Sequence, residues 1–165
     1  MAKINTVQGG DDWGKLMRAI DEIERNAVAV GVQEDAGVHK DEDGNSDGVT
    51  VAQVAAWNEY GTETTPERSF FRSTLEEEEK KYVRALNKVV KRTLQGGSAK
   101  IAMGKVGTIV QNDIQDKIVN LREPENAEST IERKKSSNPL IDSEQMLGSI
   151  RWVYIGKDID EERDD

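Results

Sequence analysis

The chain has 165 residues, no cysteine, a single histidine (His39), 35% hydrophobic and 33% charged residues, and a net charge of −9. That is enough for one domain. The composition excludes disulfides, thiolate zinc sites and cysteine nucleophiles, forbids a two-histidine zinc motif, and leaves any Ser-His-Asp triad dependent on His39. Between Glu34 and Gly48 six acids stand against one base, and the same count recurs between Asp158 and Asp165, so the rest of the chain is near neutral. Charge confined to one loop and one tail argues against a DNA-mimicking surface, and the lack of a dominant basic face argues against a direct nucleic-acid binder. No apolar run approaches the roughly 18 residues of a membrane span. The first ten residues hold no hydrophobic block, so no secretory signal is expected.

Residues 11–25 carry Trp13, Leu16, Met17, Ile20 and Ile23 at three- and four-residue spacing, which predicts an amphipathic helix with those side chains on one face. In residues 27–33, Val28, Val30 and Val32 alternate with small residues, the pattern of a strand. A polar loop over 34–48 follows. Thr50 and Gln53 have the form of a capping box for a helix over 51–60, with Val51, Val54, Ala55 and Asn58 inward and Trp57 flanking, ended by Gly61 in a left-handed conformation. Thr74 to Glu77 reads as a second capping box, opening one helix to about Gln95. Its apolar stripe is Leu75, Tyr82, Val83, Leu86, Val89, Val90 and Leu94, and Glu76–Lys80 and Glu77–Lys81 are i,i+4 pairs on its surface.

Gly96-Gly97 stops that helix, and Ser98 caps the next, which runs to about Leu121 with Ile101, Ala102, Ile109, Val110, Ile114 and Ile118 inward. Gly104 and Gly107 each weaken it by about 1 kcal/mol relative to alanine, which points to close packing or a kink. Residues 122–141 form a long polar loop. Asp142 to Gln145 is a third capping box, in which Asp142 caps a short helix ending near Ser149 and Gln145 closes the box. Arg151 to Ile155 forms a strand with Trp152 and Tyr154 on one face. The acidic tail 158–165 has no periodicity and is expected to be mobile. The whole is α+β: a small antiparallel sheet packed by two long helices and short ones, with long polar loops, in one domain over 1–157.

Candidate chemistry is sparse. Asp43, Asn45 and Asp47 match the start of a calcium-binding EF-hand loop, but its twelfth position, a bidentate glutamate in that motif, is Val54. Asp and Gly are also ordinary turn residues, so a solvated loop without a metal is expected. His39 lacks an apolar pocket. Of the four acids Glu76 to Glu79 only Glu76 and Glu79 can converge on a helix, and an acidic first turn is the plainer reading. Arg84, Lys88 and Arg92 form an i,i+4,i+8 basic stripe, which is either a solvated face or a contact for phosphates or an acidic partner. Arg133, Lys134 and Lys135 form a basic run on a loop, where contacts are commonly made. Four of the eight aromatic residues fall within 57–71 (Trp57, Tyr60, Phe70 and Phe71) around a Gly-, Thr-, Pro- and Arg-containing segment, which either folds a corner onto the core or docks a partner.

Two blocks carry a family resemblance. One is Val54-Ala55-Ala56-Trp57-Asn58-Glu59-Tyr60-Gly61-Thr62 followed by Pro66-Glu67-Arg68-Ser69-Phe70-Phe71-Arg72. The other runs from Lys135 through Pro139, Leu140 and Asp142 to Ile150. Together, over roughly residues 28–155, they resemble the tail-completion and neck proteins of tailed bacteriophages, also described as virion morphogenesis or minor tail components. Ser69 stands where that family commonly has proline, and Ser143-Glu144 where it has Thr-Gly. The resemblance implies a non-enzymatic virion protein at the head–tail junction, made in the host cytoplasm and needing no cofactor. It also implies a ring of copies, six by expectation, that contacts the connector and the tail-tube or terminator proteins while DNA passes through as cargo. Alternatives from the residues themselves are a calcium- or metal-binding module or enzyme on the acidic loop, and a small acidic host-directed inhibitor.

Overall fold

Six α-helices and a two-stranded antiparallel sheet make up the described residues of the computed structural model, which are 11–40, 44–122, 124 and 144–156. In chain order they are α1 (Asp11–Arg25), β1 (Val28–Val32), a single 3₁₀ turn (Glu34–Ala36), α2 (Val51–Tyr60), α3 (Phe71–Glu77), α4 (Glu79–Leu94), α5 (Ala99–Asn120), α6 (Glu144–Ser149) and β2 (Ile150–Tyr154). The α+β expectation therefore holds, with helix predominating. The expectations placed on Asp43, Arg133, Lys134, Lys135, Pro139, Leu140, Asp142 and the acidic tail lie outside the described residues.

β1 and β2 pair with Val28 opposite Tyr154 and Val32 opposite Ile150. The free edge of a strand exposes unpaired backbone groups that invite association. Here α5 covers β2. The Gln111 side chain accepts from the Trp152 N–H (3.1 Å), and one turn further on Gln115 donates to the carbonyls of Leu147 and Ile150. Trp152 and Tyr154 stack edge-to-face at 5.1 Å and lie directly on α5. A β-carbon on Gly107 would fall 2.7 Å from the Trp152 ring, and one on Gly104 would fall 2.7 Å from the Tyr154 hydroxyl. The two glycines serve close packing, and the propensity they cost the helix is offset by this contact.

Two clusters of buried side chains share Val110 at their border. The larger joins Val51 and Ala55 of α2, Phe70, Ile114 and Ile118 of α5, Met146 and Ile150; the smaller joins Val89 of α4 to Met103 and Val106 of α5. Because α5 is covered by the sheet on one side and by α4 on another, it buries more than a single stripe. Ile101, expected inward, is instead 62% exposed, while Met103 and Val106 are buried.

Local signals predicted most boundaries. Thr50 and Gln53 exchange both bonds of a capping box, and Ser98 accepts from Ile101 N–H. Between Arg72 and Gln95 the structure departs from expectation. Thr74 caps nothing; it lies inside α3 and its hydroxyl donates to the Phe70 carbonyl. The single helix expected there is broken at Glu78 (φ −99°, ψ 7°). The expected i,i+4 pairs give way to contacts with α5: Lys117 binds Glu77 at 2.6 Å, and Lys81 and Tyr82 converge on Asp113. Beside that carboxylate Lys81 is held above its ordinary pKa. Burial, with a smaller contribution from the Asp113 bond, pushes the Tyr82 phenol up. The face α4 buries is Tyr82, Val89 and Thr93, so Leu75 of α3 and Val83, Leu86, Val90 and Leu94 of α4 stay exposed. On α1 likewise Trp13, Met17 and Ile20 are exposed, while Ala19 is buried and Ile23 reaches the smaller cluster.

Candidate functional site: the Glu59 corner

The first resembling block folds into a corner between α2 and α3 around one carboxylate. Glu59 is the penultimate residue of α2, and it is buried (5% exposed). A negative charge at a helix C-terminus meets the unfavourable end of that helix's dipole. The Glu59 side chain turns away from its own helix to the start of α3. There Oε2 accepts from the Phe70 and Phe71 N–H groups at 2.9 and 2.8 Å, and Oε1 accepts from Arg72 N–H at 3.0 Å. These are N–H groups that the first turn of a helix leaves without intrahelical partners, so Glu59 caps α3 from eleven residues upstream. The Ser69 hydroxyl and Arg72 Nε also donate to Oε1, both at 3.0 Å. Burial alone pushes the Glu59 carboxyl up. The backbone bonds from Phe71 and Arg72, with the Arg72 side chain and Ser69, outweigh it and hold the carboxyl below its ordinary pKa.

The rest of the corner closes around that capping contact. Arg72 Nη2 donates to the Glu59 carbonyl (2.9 Å) and to Glu67 Oε1 (2.7 Å), and its guanidinium lies over the Tyr60 ring at 4.7 Å. Arg68 is buried. Its N–H donates to the Asn58 carbonyl (2.7 Å) and its Nε to the carbonyl of Pro124 (2.9 Å), tying the turn to both α2 and the chain beyond α5. Gly61 adopts φ +72°, and a β-carbon there would fall 2.9 Å from the Glu67 nitrogen, so position 61 needs glycine for conformation and for space. Its ψ of 172° makes it an extended turn, not the left-handed helical cap expected.

Phe70 is buried at 2% exposure and meets Phe71 edge-to-face at 6.2 Å. Trp57, placed beside the inward face of α2, is 44% exposed, and Tyr60 is more exposed still. The inward side of α2 is Val51, Ala55 and Glu59, which turns Trp57 toward solvent. A shallow apolar cavity of ≈ 200 Å³ lies beside the corner, lined by Val32, Ala55, Tyr60 and Phe71 among others.

No family model matches the chain, and neither a curated protein nor a solved structure gives a significant match.

The other candidate positions do not converge on this corner. In the acidic loop, Asp47 Oδ1 accepts from Val49 N–H and Ser46 Oγ from Gly48 N–H, while Gly44 and Gly48 take positive φ. These side chains close turns. Among the described residues no group of three or more His, Cys, Asp or Glu is placed to hold a metal ion. The Gln145 amide ties α6 to the segment after the 3₁₀ turn, donating to the Val38 carbonyl (2.8 Å) and accepting from Lys40 N–H (3.0 Å). Among the described residues no helix is long and apolar enough to cross a membrane.

The capping role of Glu59 went unread in the sequence, although Glu59 belongs to the resembling motif. The available signal was an acid in the last turn of a helix, where the dipole disfavours it and a partner elsewhere has to compensate.

Proposed function

We propose that this chain is a structural component of a tailed-bacteriophage particle, acting at the head–tail junction as a tail-completion or neck protein. It works as a ring of copies around a channel through which DNA passes, between connector and tail components, without a catalytic centre. One observation carries the reading. The polar groups of the first resembling block are engaged within the corner, while Trp57 and Tyr60, from the same block, face outward on α2. A motif whose charges serve to fix a turn, and whose Trp57 and Tyr60 are left exposed while Phe70 anchors the core, fits contact with another protein surface better than it fits turnover of a substrate.

The test is complementation of a phage lacking this gene, with particles viewed by negative-stain electron microscopy. Loss of the protein is expected to leave full heads and free tails. Trp57→Ala combined with Tyr60→Ala is expected to leave the purified protein's thermal stability within a few degrees of the parent and to reduce joining. Normally joined particles without the protein would overturn the reading.

A further inference from the structure

The basic stripe of α4 does not stand on an open helix surface. It forms one wall of a groove of ≈ 310 Å³ between α4 and α5. The two helices form an antiparallel hairpin across Gly96-Gly97, where Gly96 takes φ +83° and Gly97 N–H bonds the Arg92 carbonyl. The floor is apolar: Ala85 and Val89 from α4 meet Ala102, Val106 and Ile109 from α5, with Ile101 exposed at the rim. Arg84, Lys88 and Arg92 line one wall and Lys105 the other, and no acidic residue contributes to the lining. Lys81, at one end, is neutralised by Asp113. The other four cations have no ion-pair partner among the described residues. On a helix the three α4 cations stand about 6 Å apart along the axis.

Four unneutralised cations over an apolar floor are an unusual concentration in a chain of net charge −9. A phosphate-bearing strand would match the walls and leave the floor without a partner, and at long range the chain's overall charge repels nucleic acid. An amphipathic polypeptide matches both, with apolar side chains entering between the helices and carboxylates meeting the walls. We infer that the α4–α5 groove is a docking site for an acidic amphipathic segment of a partner protein. Its apolar side chains seat over Ala85, Ala102 and Ile109 beside the exposed Ile101, and its carboxylates pair with Arg84, Lys88, Arg92 and Lys105. The inference stands on the groove and does not depend on the virion reading.

The test measures fluorescence anisotropy of the full chain with a labelled synthetic peptide that carries leucines at i, i+3, i+4 and i+7 and glutamates elsewhere. Comparison probes are the same composition in an order with no apolar face, and a short DNA duplex. The amphipathic peptide is expected to bind saturably and at least about tenfold tighter than either, a margin that small rim effects do not reach. Lys88→Glu with Arg92→Glu is expected to weaken it by about tenfold or more. Ile101→Ser is expected to weaken it several-fold without changing the salt dependence. All three side chains are exposed, and circular dichroism confirms that the variants fold. Equal binding of the unpatterned peptide, tighter binding of DNA, no effect of charge reversal, or self-association of the chain through this groove that shuts out the peptide would each overturn the proposal.

Discussion

The Glu59 corner and the α4–α5 groove handle charge in opposite ways. At the corner a buried carboxylate gathers three backbone N–H groups, a hydroxyl and a guanidinium, so the cost of burying it is met within the fold. In the groove four cations line an apolar trough and find no counter-ion among the described residues. The first arrangement is what a chain needs to fix a turn. The second is tolerated only because the groups remain in water, and it does nothing for stability. Charge placement therefore separates the residues that hold the domain together from those available to something outside it.

That contrast can be tested by mutation. The largest effect is expected from Phe70→Ala, which empties the side of the core on which the corner rests and should cost about 3–5 kcal/mol in urea unfolding. Close behind is Glu59→Ala, which strands the N–H groups of Phe70, Phe71 and Arg72 and should cost about 3 kcal/mol. Glu59→Gln keeps an acceptor and should lose less. The same residue predicts a pH dependence. Its folded pKa lies below the ordinary 4.5, so its stabilising contribution is complete above that value and is lost as pH falls through the lowered folded value. Urea midpoints of the parent measured downward from pH 5 should therefore fall more steeply than those of Glu59→Gln.

Smaller effects belong to the faces of α5. Gly107→Ala drives a methyl group into the Trp152 ring and should cost about 1–3 kcal/mol despite the gain in helix propensity, measurable as a lower urea midpoint. Smallest of all is Lys88→Ala in the groove. It removes the middle of three like charges spaced i,i+4, and should change stability by no more than about 0.5 kcal/mol, with a slight gain the expected sign. A loss of more than that would mean the groove, like the corner, serves the fold.

The elements that could be read from sequence were those whose cause lies within a few residues. Thr50 with Gln53, Ser98, and Gly96-Gly97 act on their own turns, and they marked helix ends correctly. Gly104 and Gly107 pointed to close packing and gave no sign of the two aromatic residues that occupy the space. What stayed hidden depended on partners distant in sequence. Thr74 to Glu77 satisfies the capping-box pattern, yet Glu59 already caps that helix, and the hydroxyl of Thr74 turns back to Phe70. Glu77 and Lys81 were paired locally on paper and pair with α5 in the fold. The basic stripe on α4 was visible as a stripe. The opposite wall, supplied by Lys105, and the floor between them were not, because nothing in the spacing of one helix says how another will lie against it.

The pairing of β1 with β2 has a consequence for how this chain acquires its shape. Gln33, just past β1, donates to the carbonyl of Arg151, a residue 118 positions later. On a ribosome, β1 emerges long before its partner exists, and α1 through α5 must appear first. The α4–α5 hairpin closes across a four-residue turn and can form while the chain is still growing. The sheet has to wait for nearly the whole sequence, and its loop-closure entropy is correspondingly large. Until then the backbone of Val28–Val32 lacks its strand partner, which makes the nascent chain most vulnerable to non-native strand pairing in the interval before Ile150–Tyr154 arrives.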